Sequence, residues 1–268
     1  MTGVMRVCVF GLGEAGSLIA GDLAMRPDVE VHGYDPARVA TPPGVVRHAR
    51  PQAAVAGADL VLGVTAAADA TAALAQALDA IPRGAVYADL ATAPAGLQRR
   101  LAATAAGAGL GFTDVALMAP VHGTGLRTPA LASGPAARAF VATMRRLGMP
   151  VEHAGDEPGM AATRKLLRSI VVKGLTALVV ESMQAAEAAG LAAETWDNVV
   201  GQLAAADEEL VRRLVTGTGR HATRRVHEME AAAELLTELG VEPLMTSATA
   251  ARLRLVAAGE SAVPSLPG

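Results

Sequence analysis

Gly11-Leu12-Gly13-Glu14-Ala15-Gly16 follows an apolar run, Val4–Phe10, and leads into a stretch with helical periodicity, Ala15–Met25. The spacing is G-x-G-x-x-G between a strand and a helix, and each glycine has a physical task. Gly11 permits a tight turn, Gly13 leaves the backbone open to a pyrophosphate, and Gly16 lets helix and strand pack closely. The amides at the start of the helix are then free to meet phosphate oxygens. Asp35 ends the next apolar run, Val29–Tyr34, about twenty residues beyond the glycines. An acid there accepts hydrogen bonds from the ribose hydroxyls of NAD and repels the 2′-phosphate of NADP. Arg38 lies close enough to meet such a phosphate, so NAD is favoured over NADP without excluding it.

Outward from this turn, apolar runs alternate with helical patterns. Strands are expected at Asp59–Val64, Ala85–Leu90 and Gly111–Leu117, with a helix over Ala68–Ala80. Continuous apolar strands between helices imply a parallel sheet covered on both faces. A strand at Pro129–Ser133, a helix over Ala136–Leu147 and a short strand at Val151–His153 complete this part. After Gly155-Asp156-Glu157-Pro158 the pattern turns wholly helical, beginning with one long helix from Gly159 to about Ala189. Further helices are expected over Ala193–Ala205, Asp207–Val215, Arg224–Leu239 and Pro243–Ala258. The reading is an α/β Rossmann domain, residues 1–157, followed by an all-α substrate and dimerisation domain, residues 158–268. The long helix is apolar all round, which suits burial between domains or subunits and an expected homodimer.

Composition narrows the functions. Aromatics are 2% of the chain and the net charge is −3, which argues against a nucleic-acid surface. The single cysteine, Cys8, excludes an intrachain disulfide framework and sits in an apolar strand as a core residue. No signal segment or spanning segment is evident, so a cytoplasmic protein with no membrane partner is expected. No His/Cys/acid group has zinc spacing, so no metal is expected. Tyr34 and Tyr87 both lack a lysine four residues on, which disfavours the short-chain dehydrogenase arrangement. Only Lys165 and Lys173 are lysines among 23 basic residues, and lysine, unlike arginine, can give up its proton.

Together, Gly11–Gly16, Asp89-Leu90-Ala91-Thr92, Asp114–Met118 and the helix around Lys165 resemble the β-hydroxyacid dehydrogenases, the group of 6-phosphogluconate dehydrogenase. Gly13–Gly16, Ala132-Ser133-Gly134-Pro135 and Lys165–Ser169 resemble its branch with a helical C-terminal domain termed DUF1932. The resemblance implies NAD or NADP as cofactor, hydride exchange with a small hydroxy or keto substrate, and a homodimer. It assigns acid–base work to Lys165, preceded by Gly159. Arg164, Arg168 and apolar flanks would favour the neutral amine. Ser169, a second catalytic candidate, stands where the family places asparagine, and Met118-Ala119-Pro120-Val121-His122-Gly123 replaces its Ser-Gly-Gly loop. The usual 3-hydroxy acid is therefore in question. Met118, His122 and Arg168 are candidate substrate contacts; structural roles for the histidine and arginine stay open. Cofactor contacts are expected from Gly11, Leu12, Gly13, Glu14, Ala15, Gly16, Asp35, Arg38, Thr65 and Thr92. Asp89 and Asp114 are read as structural turn residues. An imine or enamine reductase, and a dinucleotide-binding sensor or scaffold without turnover, remain as alternatives.

Overall fold

The structure is a computed structural model that describes residues 4–266. Its contacts divide the chain into two compact units, residues 1–168 and 169–268.

The first unit is built on an eight-stranded sheet: β1 (Met5–Phe10), β2 (Val29–Tyr34), β3 (Val45–Arg47), β4 (Leu60–Gly63), β5 (Val86–Asp89), β6 (Gly111–Leu117), β7 (Ala130–Ser133) and β8 (Val151–Gly155). The spatial order is β3-β2-β1-β4-β5-β6-β7-β8. Strands β1 to β6 are parallel; β7 runs antiparallel to β6, and β8 follows β7. The expected strands are present, but the last two reverse the direction of a sheet read as parallel. The helices are α1 (Glu14–Ala24), α2 (Pro51–Val55), α3 (Ala70–Ala77), α4 (Ala95–Gly107) and α5 (Ala137–Arg146). Strand β3 and helices α2 and α4 carry no strong periodic signal and were not expected.

Both faces of the sheet are buried, which explains the continuous apolar runs. In β1, Val7 and Val9 join one core with Ile19, Leu62 and Phe140. Cys8 and Phe10 point to the other, with Leu74, Tyr87 and Phe112. Burial pushes the Cys8 thiol up to about 12, so it is an inert core group. The chain crosses the sheet at β1, which lies between β2 and β4, and the crevice beyond their carboxyl ends is where such folds bind ligands.

Helix α6 (Met160–Ala188) begins in the first unit and continues into the second. The division thus falls inside this helix, beyond the boundary expected at residue 157, because its first turn is bonded into the sheet. The second unit adds α7 (Ala192–Ala204), α8 (Glu208–Glu238) and α9 (Leu244–Ala257). Two helices were expected where α8 runs unbroken through Gly217 and Gly219. Glu181 of α6 accepts from the Met245 and Thr246 amides and from Thr246 Oγ1, at 2.6–2.8 Å, capping α9 in place of a local residue. Ile170, Val171, Val180, Trp196 and Leu214 of the second unit are exposed. No helix among the described residues is long and apolar enough to cross a membrane.

Candidate functional site

At the end of β1, Gly11 adopts φ 91°, in the left-handed region that glycine alone takes freely. A Cβ there would stand 2.1 Å from the Val64 carbonyl oxygen, and one on Gly16 would stand 1.8 Å from that of Gly11. Both glycines are required by close backbone contact. Gly13 differs: its φ is −65° and a Cβ would meet no protein atom within 4 Å. It begins α1 without any side-chain cap, so the amides of Glu14, Ala15 and Gly16 stay available to an anion.

Asp35 sits beside this turn and fixes it. Its Oδ2 accepts from the Leu12 amide at 2.7 Å and its Oδ1 from the Ala37 amide at 2.8 Å. A cavity of about 320 Å³ opens here, lined by Phe10, Gly11, Gly13, Asp35, Thr65 and Gln76 among others. Within it the Thr65 hydroxyl oxygen is buried and has no hydrogen-bond partner. Buried hydroxyls are normally paired, so this one fits a ligand rich in oxygen such as a dinucleotide.

The carboxyl ends of β5 and β6 carry a second cluster. Lys165, on the second turn of α6, donates from Nζ to Thr92 Oγ1 at 2.7 Å. Arg168, nearly one turn on, donates to the Met118 carbonyl. Burial holds the Lys165 ammonium below its ordinary pKa, and the Arg168 charge adds to this, while the Asp114 carboxylate opposes it. Lys165, Thr92, Met118 and Arg168 are thus brought together within the first unit, at the same edge as the glycine turn.

Residues 6–134 match the family described as the NAD binding domain of 6-phosphogluconate dehydrogenase, and residues 186–256 match a domain of unknown function, DUF1932. The chain thus carries a segment matching the NAD binding domain of 6-phosphogluconate dehydrogenase, followed by one matching DUF1932. A solved protein of unknown function, described as structurally similar to 3-hydroxyacid dehydrogenases, is 25% identical, with 96% of this chain and 100% of that one covered and a TM-score of 0.60. An imine reductase from Streptomyces aurantiacus shares the fold at a TM-score of 0.77, with 22% identity and 97% of each chain covered. A curated relative, an uncharacterized 28.5 kDa protein of Methanothermus fervidus, is 27% identical over 106 residues, 40% of this chain and 42% of its own length. The match therefore spans less than half of that relative.

The other expected residues are dispersed. His122 is 87% exposed, and its polar neighbour is Glu14, 4.0 Å away at the start of α1. Arg38 is exposed on the loop after β2. Ser169 lies four residues past Lys165 in α6 and is the first residue of the second unit. Sequence reasoning missed Arg47 of β3, whose guanidinium bonds the carbonyls of Asp35, Ala37 and Val39. It shapes the loop that follows Asp35, and no motif announces it.

Asp89, read from sequence as a turn residue, is a fully buried group at the end of β5. Its Oδ2 accepts from Gln98 Nε2 at 2.6 Å, while Oδ1 has no partner. Burial raises its pKa to about 7; the Asp114 charge adds to the rise and the Gln98 hydrogen bond opposes it. An acid with a folded pKa above its unfolded value holds its proton in the fold after the unfolded chain has lost it. Stability should therefore fall as pH rises from about 4 to about 7, by on the order of 4 kcal/mol, and level off above. Asp89→Asn should remove that slope and unfold at higher denaturant than wild type at pH 8. Urea midpoints at pH 5 and pH 8 measure it; equal pH slopes in the two proteins would contradict the assignment.

Proposed function

We propose that the protein is an NAD(P)-dependent dehydrogenase or reductase acting on a small, anionic hydroxy or keto substrate, with Lys165 as the acid–base group. The observation that carries this reading is the Lys165–Thr92 contact, at the same sheet edge as the glycine turn. When bound, the coenzyme supplies the hydride acceptor or donor. The chain supplies the rest. The glycine turn and the free amides of α1 bind the pyrophosphate, while Thr65 and Thr92 contact the coenzyme near its reactive end. For oxidation, the neutral Lys165 amine takes the proton from the substrate hydroxyl as hydride leaves its carbon. In reduction the ammonium returns that proton to the forming alkoxide. Arg168 holds a substrate anion near Met118, with Ser169 and His122 as further polar groups for substrate.

Asp35 favours NAD. Its carboxylate is fixed at the end of β2 by two amides and lines the cavity, where a 2′-phosphate would meet a like charge. The replaced Ser-Gly-Gly loop leaves room for an imine substrate on the same lysine chemistry.

Titration with NADH and NADPH, followed by nicotinamide fluorescence, tests the first claim. Tighter NADH binding is expected; tighter NADPH binding would pass the selecting role to Arg38, and binding of neither would sink the proposal. Panels of 3-hydroxy acids and cyclic imines, assayed with the preferred coenzyme, then separate the two substrate classes. Coenzyme binding with no turnover on either panel would favour a sensor.

A further inference from the structure

The start of α6 is held in an unusual way. The first amides of a helix have no partner inside it and are commonly met by a residue just before it. Here they are met from the sheet. Asp114 of β6 and Ser133 of β7 are directly paired across the two strands, and both are fully buried. Asp114 Oδ2 accepts from the Gly159 amide at 3.1 Å and the Ala162 amide at 3.0 Å. Ser133 Oγ accepts from the Ala161 amide at 2.9 Å and donates to Asp114 Oδ2 at 3.0 Å. One carboxylate and one hydroxyl therefore satisfy three amides of a single turn. A carboxylate at that end is also favoured by the helix dipole.

Gly159 makes the seat possible. Its φ is 96°, and a Cβ would lie 2.7 Å from that of Ala95, at the first residue of α4. The start of α6 thus packs directly on the start of α4, just beyond the loop that carries Thr92. Lys165 follows Ala162 by three residues, so a turn locked at Gly159, Ala161 and Ala162 fixes where its side chain leaves the helix.

We propose that Asp114 and Ser133 are positioning residues for Lys165, gripping the first turn of α6 from the sheet so that the lysine stands over Thr92. The proposal rests on the reading of Lys165 as the acid–base group. It gives work to two buried polar side chains that the reaction itself does not use. The charged groups acting on the lysine are Arg168 on its own helix and Asp114 from the sheet, with Arg164 exposed beside it. Asp114 therefore has a second effect: its charge supports the ammonium against burial and Arg168.

The chain has only two lysines, so lysine labelled with 13C at Cε gives two signals, assigned by Lys173→Arg. In the wild-type protein the Lys165 signal should titrate below the ordinary lysine range. Asp114→Asn should move the Lys165 midpoint down by about 0.5 pH unit or more, because a nearby carboxylate that favoured the charged form is gone. NADH affinity should stay within about twofold of wild type. Ser133→Ala keeps the charge and removes the bond to the Ala161 amide, so it should change the Lys165 chemical shift; it carries the test should Asp114→Asn fail to fold. A Lys165 signal unchanged in shift and midpoint in the folded variants overturns the proposal. A wild-type Lys165 that titrates in the ordinary lysine range instead overturns the acid–base reading beneath it.

Discussion

Gly16→Ala should abolish dinucleotide binding and lower thermal stability, whereas Gly13→Ala should lose binding alone. The contrast follows from what each new methyl group meets. At Gly16 it would lie 1.8 Å from the Gly11 carbonyl oxygen and 2.9 Å from its carbon. Backbone atoms cannot turn aside as a side chain can, and Gly11 is itself pressed against the Val64 carbonyl. Relief requires α1 to move away from β1, opening the turn that Asp35 holds through the Leu12 amide. Overpacking of this kind costs about 1–3 kcal/mol or more. In a domain of this size that lowers the melting temperature by up to about 10 °C. Gly13→Ala introduces no clash and needs no forbidden φ, since the residue sits at −65° with open space beside it. Its melting temperature should stay within about 2 °C of wild type. The methyl group would nevertheless occupy the side from which a pyrophosphate approaches, and NADH affinity should fall by about 100-fold or more. Fluorescence titration and thermal melts read both variants. Normal NADH binding by Gly13→Ala would remove the glycine turn as the phosphate site.

The parts of the fold legible in the sequence are those fixed by neighbours along the chain. Gly11, Gly13 and Gly16 act within a few residues of each other, so their spacing carries the turn. Asp35 is legible because a strand length separates it from that turn. Its hydrogen bond to Leu12 was not expected, yet it arises from the same adjacency of β1 and β2. Strand direction is another matter. The alternation that marks β7 and β8 is the same whichever way a strand runs, so their reversal against β6 leaves no trace in periodicity. Helix α8 shows tertiary packing overruling local preference. Glycine costs a helix about 1 kcal/mol relative to alanine, yet α8 runs through Gly217 and Gly219, in the gap between the two expected helices. Around them Thr216 and Thr218 return hydroxyl bonds to Arg212 and Leu214, and Arg225 donates to Thr218 at 2.8 Å. The helix also packs along α9, where Arg254 pairs with Glu230. Lys165 stands out in the sequence through its resemblance and its rarity, but its hydrogen-bond partner Thr92 lies 73 residues away. The Asp114–Ser133 seat is similarly invisible, because it joins residues from two strands to amides that any sequence would possess.

The chemistry assigned to Lys165 separates cleanly from a merely electrostatic role. Lys165→Met keeps much of the side chain's length and apolar body but removes the amine. It should leave coenzyme affinity within about twofold and cut turnover by about 10²–10⁴, the range for losing a positioned acid–base group. The more telling variant is Lys165→Arg. Guanidinium keeps the positive charge and can still donate to Thr92, but it does not deprotonate in the working range. A lysine needed only to attract an anion or polarise a carbonyl would be largely replaced by arginine. One that must take up and return a proton would not, so Lys165→Arg should be nearly as slow as Lys165→Met in the oxidation direction. The pH profile adds a sign. Burial and Arg168 hold the Lys165 pKa below its ordinary value, so Arg168→Gln should raise it and carry the limb of kcat/KM that depends on neutral amine to higher pH. These rates are read on whichever hydroxy acid or imine turns over in the panels. Turnover by Lys165→Arg close to wild type would assign the proton to another group and leave Lys165 as a charge beside Thr92.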